Sequence, residues 1–309
     1  MILTVTFNPA VDKSTSIDRL VPEKKMRARH LVSEAGGGGI NVSKALQELG
    51  APAKALFLSG GVNGQVLERL LADRDLPFEA VPSKGETRES FTVLETGSNA
   101  QYRFVLPGAP YVEADGAALF AALAAATPRP EIVVASGSLP PGAPEDLYGQ
   151  LAAHCRSIGA RLVVDTSGRP LQQAVAAGVF LLKPNLSELC ALTGREHLEL
   201  EDVGAAAREV IGRGACQALV VSMGPSGALA VTRDGSWRIP APVVRKQSTV
   251  GAGDSMIAGI CHALLQGREL RDAARFGVAC GTAATMNPGS QLFRKADAER
   301  LYAWICANS

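Results

Sequence analysis

Residues 248–255 read STVGAGDS, and an apolar helical stretch, 256–266, follows at once. Gly251 and Gly253 let the backbone turn tightly and point successive N–H groups outward. A helix opening there adds the positive end of its dipole. Together, residues 251–253 make a hole for a phosphoryl group whose charge is developing. Asp254 sits within it, and a carboxylate there can take the proton of an alcohol as its oxygen attacks phosphorus. Taken alone, the same aspartate also reads as a plain N-cap.

Either side of this stretch, short β-rich runs alternate with amphipathic segments. Residues 2–7, 54–58, 132–136, 161–165, 180–183 and 219–222 read as buried strands. In 41–49, Val42, Ala45, Leu46 and Leu49 fall on one helix face, and Gly50 and Pro52 stop the helix. Segments 63–73, 144–158, 200–212, 255–266 and 270–285 behave alike. The alternation predicts an α/β fold, a mostly parallel sheet with helices on both faces. Ligands of such folds lie beyond the carboxyl ends of the strands. Two segments break the rhythm. Residues 13–35 are polar and strand-like, and 89–106 read as a hairpin about Gly97, Ser98 and Asn99. They form either a small second sheet or edge strands of the main one.

The 309 residues are 47% hydrophobic and 20% charged, with a net charge of +1. That supports a well-buried core and excludes a disordered chain. The charge balance leaves no footprint for nucleic acid or a membrane surface. No apolar run approaches the roughly 20 residues of a membrane span, and the first residues lack a basic leader region. A cytoplasmic protein is expected. Six scattered cysteines without a CxxC pair read as free, mostly buried thiols. The chain has no GxGxxG, no Gly-Lys dipeptide and no GxSxG, so nicotinamide-type Rossmann, Walker A and serine-hydrolase signatures are unsupported.

Other residues fit phosphate chemistry, each with a plainer alternative. Four glycines, 36–39, open onto a helix at Asn41; they suit a close approach to a ligand or a hinge, and Asn41 suits a cap or a sugar hydroxyl. Ser222, Gly224 and Gly227 lie in a turn that either borders a nucleotide or only connects two strands. Asn185 and Glu188 share a helix face and offer oxygen ligands suited to hydrated Mg²⁺, or else cap a helix. Asp165 ends a strand, where it can order a magnesium water or form a turn. Asp12 can hold sugar hydroxyls. Arg88 and Arg103 flank the hairpin and suit a phosphate dianion, unless they are solvated surface.

The chain resembles the ribokinase-like, PfkB-type family of sugar kinases over essentially its whole length. The motifs are AGGGGINVSKAL (35–46), SGSLPPG (136–142), DTSG (165–168), KPNLSEL (183–189), SMGPSGAL (222–229) and STVGAGDSMIAG (248–259). QYRFVLPGA (101–109) and RFGVACGTAATMNPG (275–289) are similar to the family's minor-type 6-phosphofructokinase branch. Gly38 stands where branches acting on fructose 1-phosphate or tagatose 6-phosphate usually carry lysine.

The resemblance implies one three-layer α/β/α domain over 1–309, with a small β lid from about 13–35 and 88–106. It implies ATP-dependent phosphorylation of the 1-hydroxyl of fructose 6-phosphate, a glycolytic step; the other two sugar phosphates, or a non-catalytic binding role, are the alternatives. Asp254 would be the base and Gly251, Ala252 and Gly253 the anion hole. Asp12, Gly37, Asn41, Arg88 and Ser138 would contact the sugar phosphate. Lys183, Asn185, Ser222, Gly224, Gly227, Thr282 and, from the lid, Lys25 would surround ATP. Asn185 and Glu188 would lie near Mg²⁺. Ser248, Val250, Ala284, Asn287 and Gly289 would hold a monovalent cation such as K⁺; Gln291 departs from the arginine usual in that loop. A homodimer through the lid is expected.

Overall fold

The computed structural model describes residues 1–289 and 291–309. In chain order the elements begin with β1 (Ile2–Thr6), β2 (Ala10–Ile17), β3 (Arg29–Gly36), α1 (Gly38–Glu48), β4 (Ala53–Ser59), α2 (Gly61–Ala72), β5 (Phe78–Pro82), β6 (Arg88–Glu95) and β7 (Ala100–Val105). There follow α3 (Glu113–Ala125), β8 (Ile132–Ser136), α4 (Leu147–Ser157), β9 (Arg161–Asp165), α5 (Gly168–Ala177), β10 (Val179–Leu182), α6 (Leu186–Thr193) and α7 (Val203–Gly212). The chain ends with β11 (Cys216–Ser222), β12 (Ala228–Thr232), β13 (Ser236–Ile239), α8 (Ala252–Leu265), α9 (Leu270–Ala284) and α10 (Lys295–Asn308).

Nine strands form the main sheet in the order β13-β12-β11-β10-β9-β8-β1-β4-β5. Pairing is parallel from β5 to β11, and only β12 and β13 join antiparallel. The central strands read as unbroken apolar runs because helices bury both faces. One face packs against α3 to α7, through residues such as Leu119, Leu151 and Val210. The other packs against α1, α8, α9 and α10, through Leu46, Ile260, Val278 and Ile305.

The segments that break the alternation form a separate sheet, ordered β3-β2-β6-β7. This settles the two readings in favour of a second sheet. Its strands are polar and half-exposed because no helix covers their outer length among the described residues. Its root is anchored by Val11 and Ala35, which pack with Ile40, Phe57 and Leu67.

The main sheet winds outward from β1 through β4 to β5, then restarts at β8 on the other side of β1. The carboxyl ends of β1 and β8 therefore flank the crevice where strand order reverses, and such crevices receive ligands.

Candidate active site

The glycine-rich stretch and the helix after it are one element. The helix starts at Ala252, three residues before the position expected from apolar spacing, and Gly251 is its N-cap with φ 75°. That left-handed conformation suits glycine. Asp254 is therefore not the N-cap but the third helical residue. The amides of the first turn have no acceptor within the helix, so the expected hole is the N-terminus of α8 itself.

Asp254 is gripped on both oxygens. Asn41 Nδ2 donates to Oδ2 at 3.0 Å, and Ser136 Oγ donates to Oδ1 at 3.3 Å. Burial, followed by the nearby Asp165 charge, pushes its carboxyl up to about 6; Asn41, Lys183 and Ser136 pull the other way. Asn41 is the fourth residue of α1 and not its cap. Ser136, the last residue of β8, is a partner that sequence reasoning missed; a serine ending a strand carries no distinguishing signal.

The four glycines have a packing reason. A methyl on Gly38 would lie 2.3 Å from Ser136 Oγ and 2.7 Å from its carbonyl carbon; one on Gly39 would lie 2.4 Å from Thr6 Oγ1. The start of α1 thus sits directly on the ends of β8 and β1. Gly37 adds a φ of 117°. Close packing on the protein's own strand ends, rather than a flexible hinge, accounts for Gly38 and Gly39.

Beside this junction a cavity of about 890 Å³ opens between the two sheets, lined by Asp12, Gly37, Asn41, Arg88, Ser248 and Gly289 among others. Burial raises the pKa of Asp12, while Lys44, Arg88 and Arg103 draw it back down. Arg88 Nε donates to the Asn8 carbonyl at 3.2 Å, and Asn8 Nδ2 donates to Ser138 Oγ at 3.2 Å. Asn8 therefore couples two of the expected sugar-phosphate contacts. Arg245 and Lys246 also line the cavity, as two cations that sequence reasoning left out. A cavity of about 1020 Å³ lies at the opposite, amino-terminal ends of β9 to β11, lined by Arg156, Arg161 and Phe180. It holds none of the expected site residues.

On the far side of Asp254, Lys183 Nζ pairs with Asp165 at 3.2 Å, their side chains 6% and 17% exposed. Burial alone would depress the lysine, but Asp165, Glu188 and Asp254 outweigh it and raise its pKa. A methyl on Gly253 would lie 3.4 Å from Lys183 Nζ, so this ammonium lies directly under the helix N-terminus.

Asn185 and Glu188 make a reciprocal capping box: Glu188 N–H donates to Asn185 Oδ1 at 2.9 Å, and Asn185 N–H donates to Glu188 Oε2 at 2.8 Å. The capping alternative is thus realised. Burial and the neighbouring Asp165 also raise the Glu188 pKa. Carboxylates held together at this cost suit a hard cation, which needs few protein oxygens if it keeps its waters. Asn185, Glu188 and Asp165 fit Mg²⁺ on that ground.

Ser222 N–H donates to the Pro184 carbonyl at 2.9 Å, which brings the β11 turn beside Asn185. Gly224 opens a 3₁₀ turn. A methyl on Gly227 would meet the Ile239 carbonyl oxygen at 2.0 Å, so this glycine is needed by the turn itself. Thr282 lies on α9 beside Gly281, where a methyl would come within 3.0 Å of the Ala252 carbonyl oxygen.

Ser248 Oγ donates to the Gly289 carbonyl at 2.7 Å, and the Asn287 amide donates to the Ala284 carbonyl at 3.2 Å. The Ser248–Val250 and Ala284–Gly289 loops therefore adjoin, and their carbonyl-rich donor set fits a monovalent cation. Lys25 is exposed in the connection between β2 and β3 and is not brought to the cavity.

The pattern of pfkB family carbohydrate kinases matches residues 5–296. The chain belongs to that family. It is 41% identical over 308 residues to the ATP-dependent 6-phosphofructokinase isozyme 2 of Escherichia coli K12, covering 98% of each chain. It is 39% identical over 282 residues to the 1-phosphofructokinase of Xanthomonas campestris, covering 90% of this chain and 88% of that one. Crystal structures of the E. coli phosphofructokinase-2 with potassium and with fructose-6-phosphate superpose with TM-scores of 0.95 and 0.93, at 41% and 40% identity, each covering 99% of both chains. A Thermotoga maritima ribokinase, 17% identical, shares the fold at a TM-score of 0.76 over 98% of this pfkB-family chain and 99% of its own. The fold is ribokinase-like, as the motifs imply.

Proposed function

We propose that the protein transfers the γ-phosphoryl group of ATP to the 1-hydroxyl of fructose 6-phosphate, giving fructose 1,6-bisphosphate. The observation that carries this reading is Asp254 in the first turn of α8, held by Asn41 and Ser136 where an acceptor alcohol enters from the Asp12 cavity. Asp12, Arg88 and Ser138 hold the sugar phosphate. Asp254 takes the hydroxyl proton as the oxygen attacks phosphorus, and the first-turn amides of α8 receive the charge that builds on the transferring group. Lys183, fixed by Asp165, adds a positive charge under the same point. Asn185, Glu188 and Asp165 would hold Mg²⁺, which when bound would neutralise charge on the ATP phosphates. K⁺ in the Ser248–Gly289 loops would steady the N-terminus of α8. The second sheet is the lid of one ribokinase-like domain, and closing it excludes water. The five buried cysteines and the exposed Cys306 are all free, which suits a cytoplasmic enzyme.

ADP release measured with fructose 6-phosphate, fructose 1-phosphate, tagatose 6-phosphate, fructose and ribose, with and without K⁺, tests the assignment. Fructose 6-phosphate is expected to give the highest kcat/KM. Preference for another sugar phosphate overturns the substrate; binding of both substrates without ADP overturns the reaction. Asp254→Asn is expected to keep both binding affinities and lose at least ~100-fold in kcat; near-normal turnover removes Asp254 as the base.

A further inference from the structure

Lys44 is a buried cation that the chemistry above does not use. It lies on α1 and is only 7% exposed, in a helix whose residues from Gly39 to Leu46, apart from Asn41, are all buried. Burial of an ammonium is costly unless it is compensated. Its Nζ donates to the Ala35 carbonyl at 2.8 Å. Ala35 is the penultimate residue of β3, just before the glycine run, so this bond ties the root of the second sheet to α1. The next residue, Gly36, is packed against Asp12: a methyl there would lie 2.1 Å from Asp12 Oδ2. Ala35 and Gly36 also pair in register with Val11 and Ala10, and Asp12 is the next residue of β2, paired with Glu34. A charge on α1, a main-chain carbonyl of β3 and the carboxylate of β2 are thus packed in sequence.

The electrostatics agree with the contacts. Among the positive charges acting on Asp12, Lys44 has the largest effect, ahead of Arg88 and Arg103; Glu34 acts in the opposite sense. Lys44 in turn faces Glu34, Asp12 and Asp254, with Arg74 opposing them. Arg74 itself pairs with Glu34 at 3.4 Å.

We propose that Lys44 is a positioning residue for the sugar phosphate: through Ala35 it fixes the root of the lid and so holds Asp12 in place against Gly36. The proposal rests on the reading of the cavity as the sugar-phosphate site. Asp12 meets substrate hydroxyls equally in the ground state and the transition state, so loss of Lys44 acts on binding and not on the transfer step.

The test is steady-state kinetics of Lys44→Met and Lys44→Arg, with thermal unfolding of each. Lys44→Met is expected to raise KM for fructose 6-phosphate about tenfold, with kcat and KM for ATP within about threefold of the parent. Removing the ammonium also raises the Asp12 pKa further. The acid-side rise of KM for the sugar phosphate then moves to higher pH in Lys44→Met, and Lys44→Arg restores it. A lower melting temperature with unchanged KM would make Lys44 a structural brace only and overturn the proposal. So would a fall in kcat at constant KM, which would place its action on Asp254. Should Lys44→Met not fold, Lys44→Gln takes its place with the same readouts: a raised KM for fructose 6-phosphate with a shifted KM–pH profile agrees with the proposal, and an unchanged KM and profile overturn it. A parent enzyme inactive on every sugar phosphate sinks the functional reading itself, and is told apart because it appears before any substitution is made.

Discussion

Asp254 has to be ionised to accept a proton, yet burial and the Asp165 charge lift its pKa to about 6 from an ordinary 3.8. Two consequences follow, of opposite value to the protein. For catalysis, the active form is the carboxylate, so kcat/KM is expected to rise with pH through about 6 and level off above it. A pH profile in Asp254→Glu and in the parent checks this; a flat profile from about pH 5 to 8 would assign the base elsewhere. For stability, the folded protein holds the proton more tightly than the unfolded chain. The charge therefore costs stability above the folded pKa, and the cost is relieved as pH falls from about 6 towards 3.8. Allowing for the partial solvent contact of the side chain, the cost is of order 1–2 kcal/mol at neutral pH. Asp254→Asn is accordingly expected to melt a few degrees higher than the parent at neutral pH and to match it near the ordinary carboxylate pKa. A lower melting temperature at both pH values would show that the Asn41 and Ser136 bonds need the charge. The aspartate was legible only through the company of the other motifs; directly after two spaced glycines it reads equally as a cap. Ser136 was not, and neither was Lys44, because a lysine on an amphipathic pattern reads as solvated. Only the fold shows it: α1 buries every residue from Gly39 to Leu46 except Asn41, and its lysine with them.

At the scale of elements, the site depends on two helix N-termini brought against two strand ends. α8 presents its first-turn amides, and α1 sits on β1 and β8 through glycines. Gly38→Ala tests the second contact. Its methyl would lie within 2.8 Å of Ser136 and Gly137 backbone atoms, which cannot swing aside as a side-chain tip can. The expected cost is about 1–3 kcal/mol from overpacking, read as a lower melting temperature. Activity falls with it, because Ser136 is displaced from Asp254. A variant as stable and active as the parent would mean that α1 floats on the sheet. Elements whose pattern follows one period were legible: the apolar strands, α1, α7 and α9, and the hairpin of β6 and β7. The start of α8 was misplaced because Ala252 and Gly253 carry no apolar side chain to mark it. α3 hid because EADGAALFAALAA is apolar on every side, leaving no stripe. β5 and β13 hid because a short edge strand needs no continuous apolar run, and aromatic and charged residues mix in FEAVP and SWRI.

At the scale of the whole molecule, the second sheet poses the remaining question of what covers it. Side chains directly opposite in register share a face. Glu34, Asp12, Ser90 and Val105 form one such row, and Val32, Ser14, Thr92 and Arg103 form the second row beyond it on the same face. That face looks into the cavity, yet Val32 is 49% and Val105 66% exposed. The intervening row carries Phe91 and Phe104 to the opposite face, where Phe104 is half exposed. A thin sheet with apolar groups on both sides and two open edges is a poor monomer surface. A second copy of the same sheet would supply a self-complementary cover. The protein is therefore expected to sediment at twice the 32.2 kDa of one chain. The double substitution Val32→Lys, Val105→Lys is expected to yield a folded monomer with weakened sugar-phosphate binding, since Asp12 and Arg103 lie in the same rows. Sedimentation velocity and the KM for fructose 6-phosphate, measured on the same samples, decide the matter. A parent chain that is monomeric and fully active at micromolar concentration would require the lid to work alone. A variant that stays dimeric would place the contact on the Phe104 face.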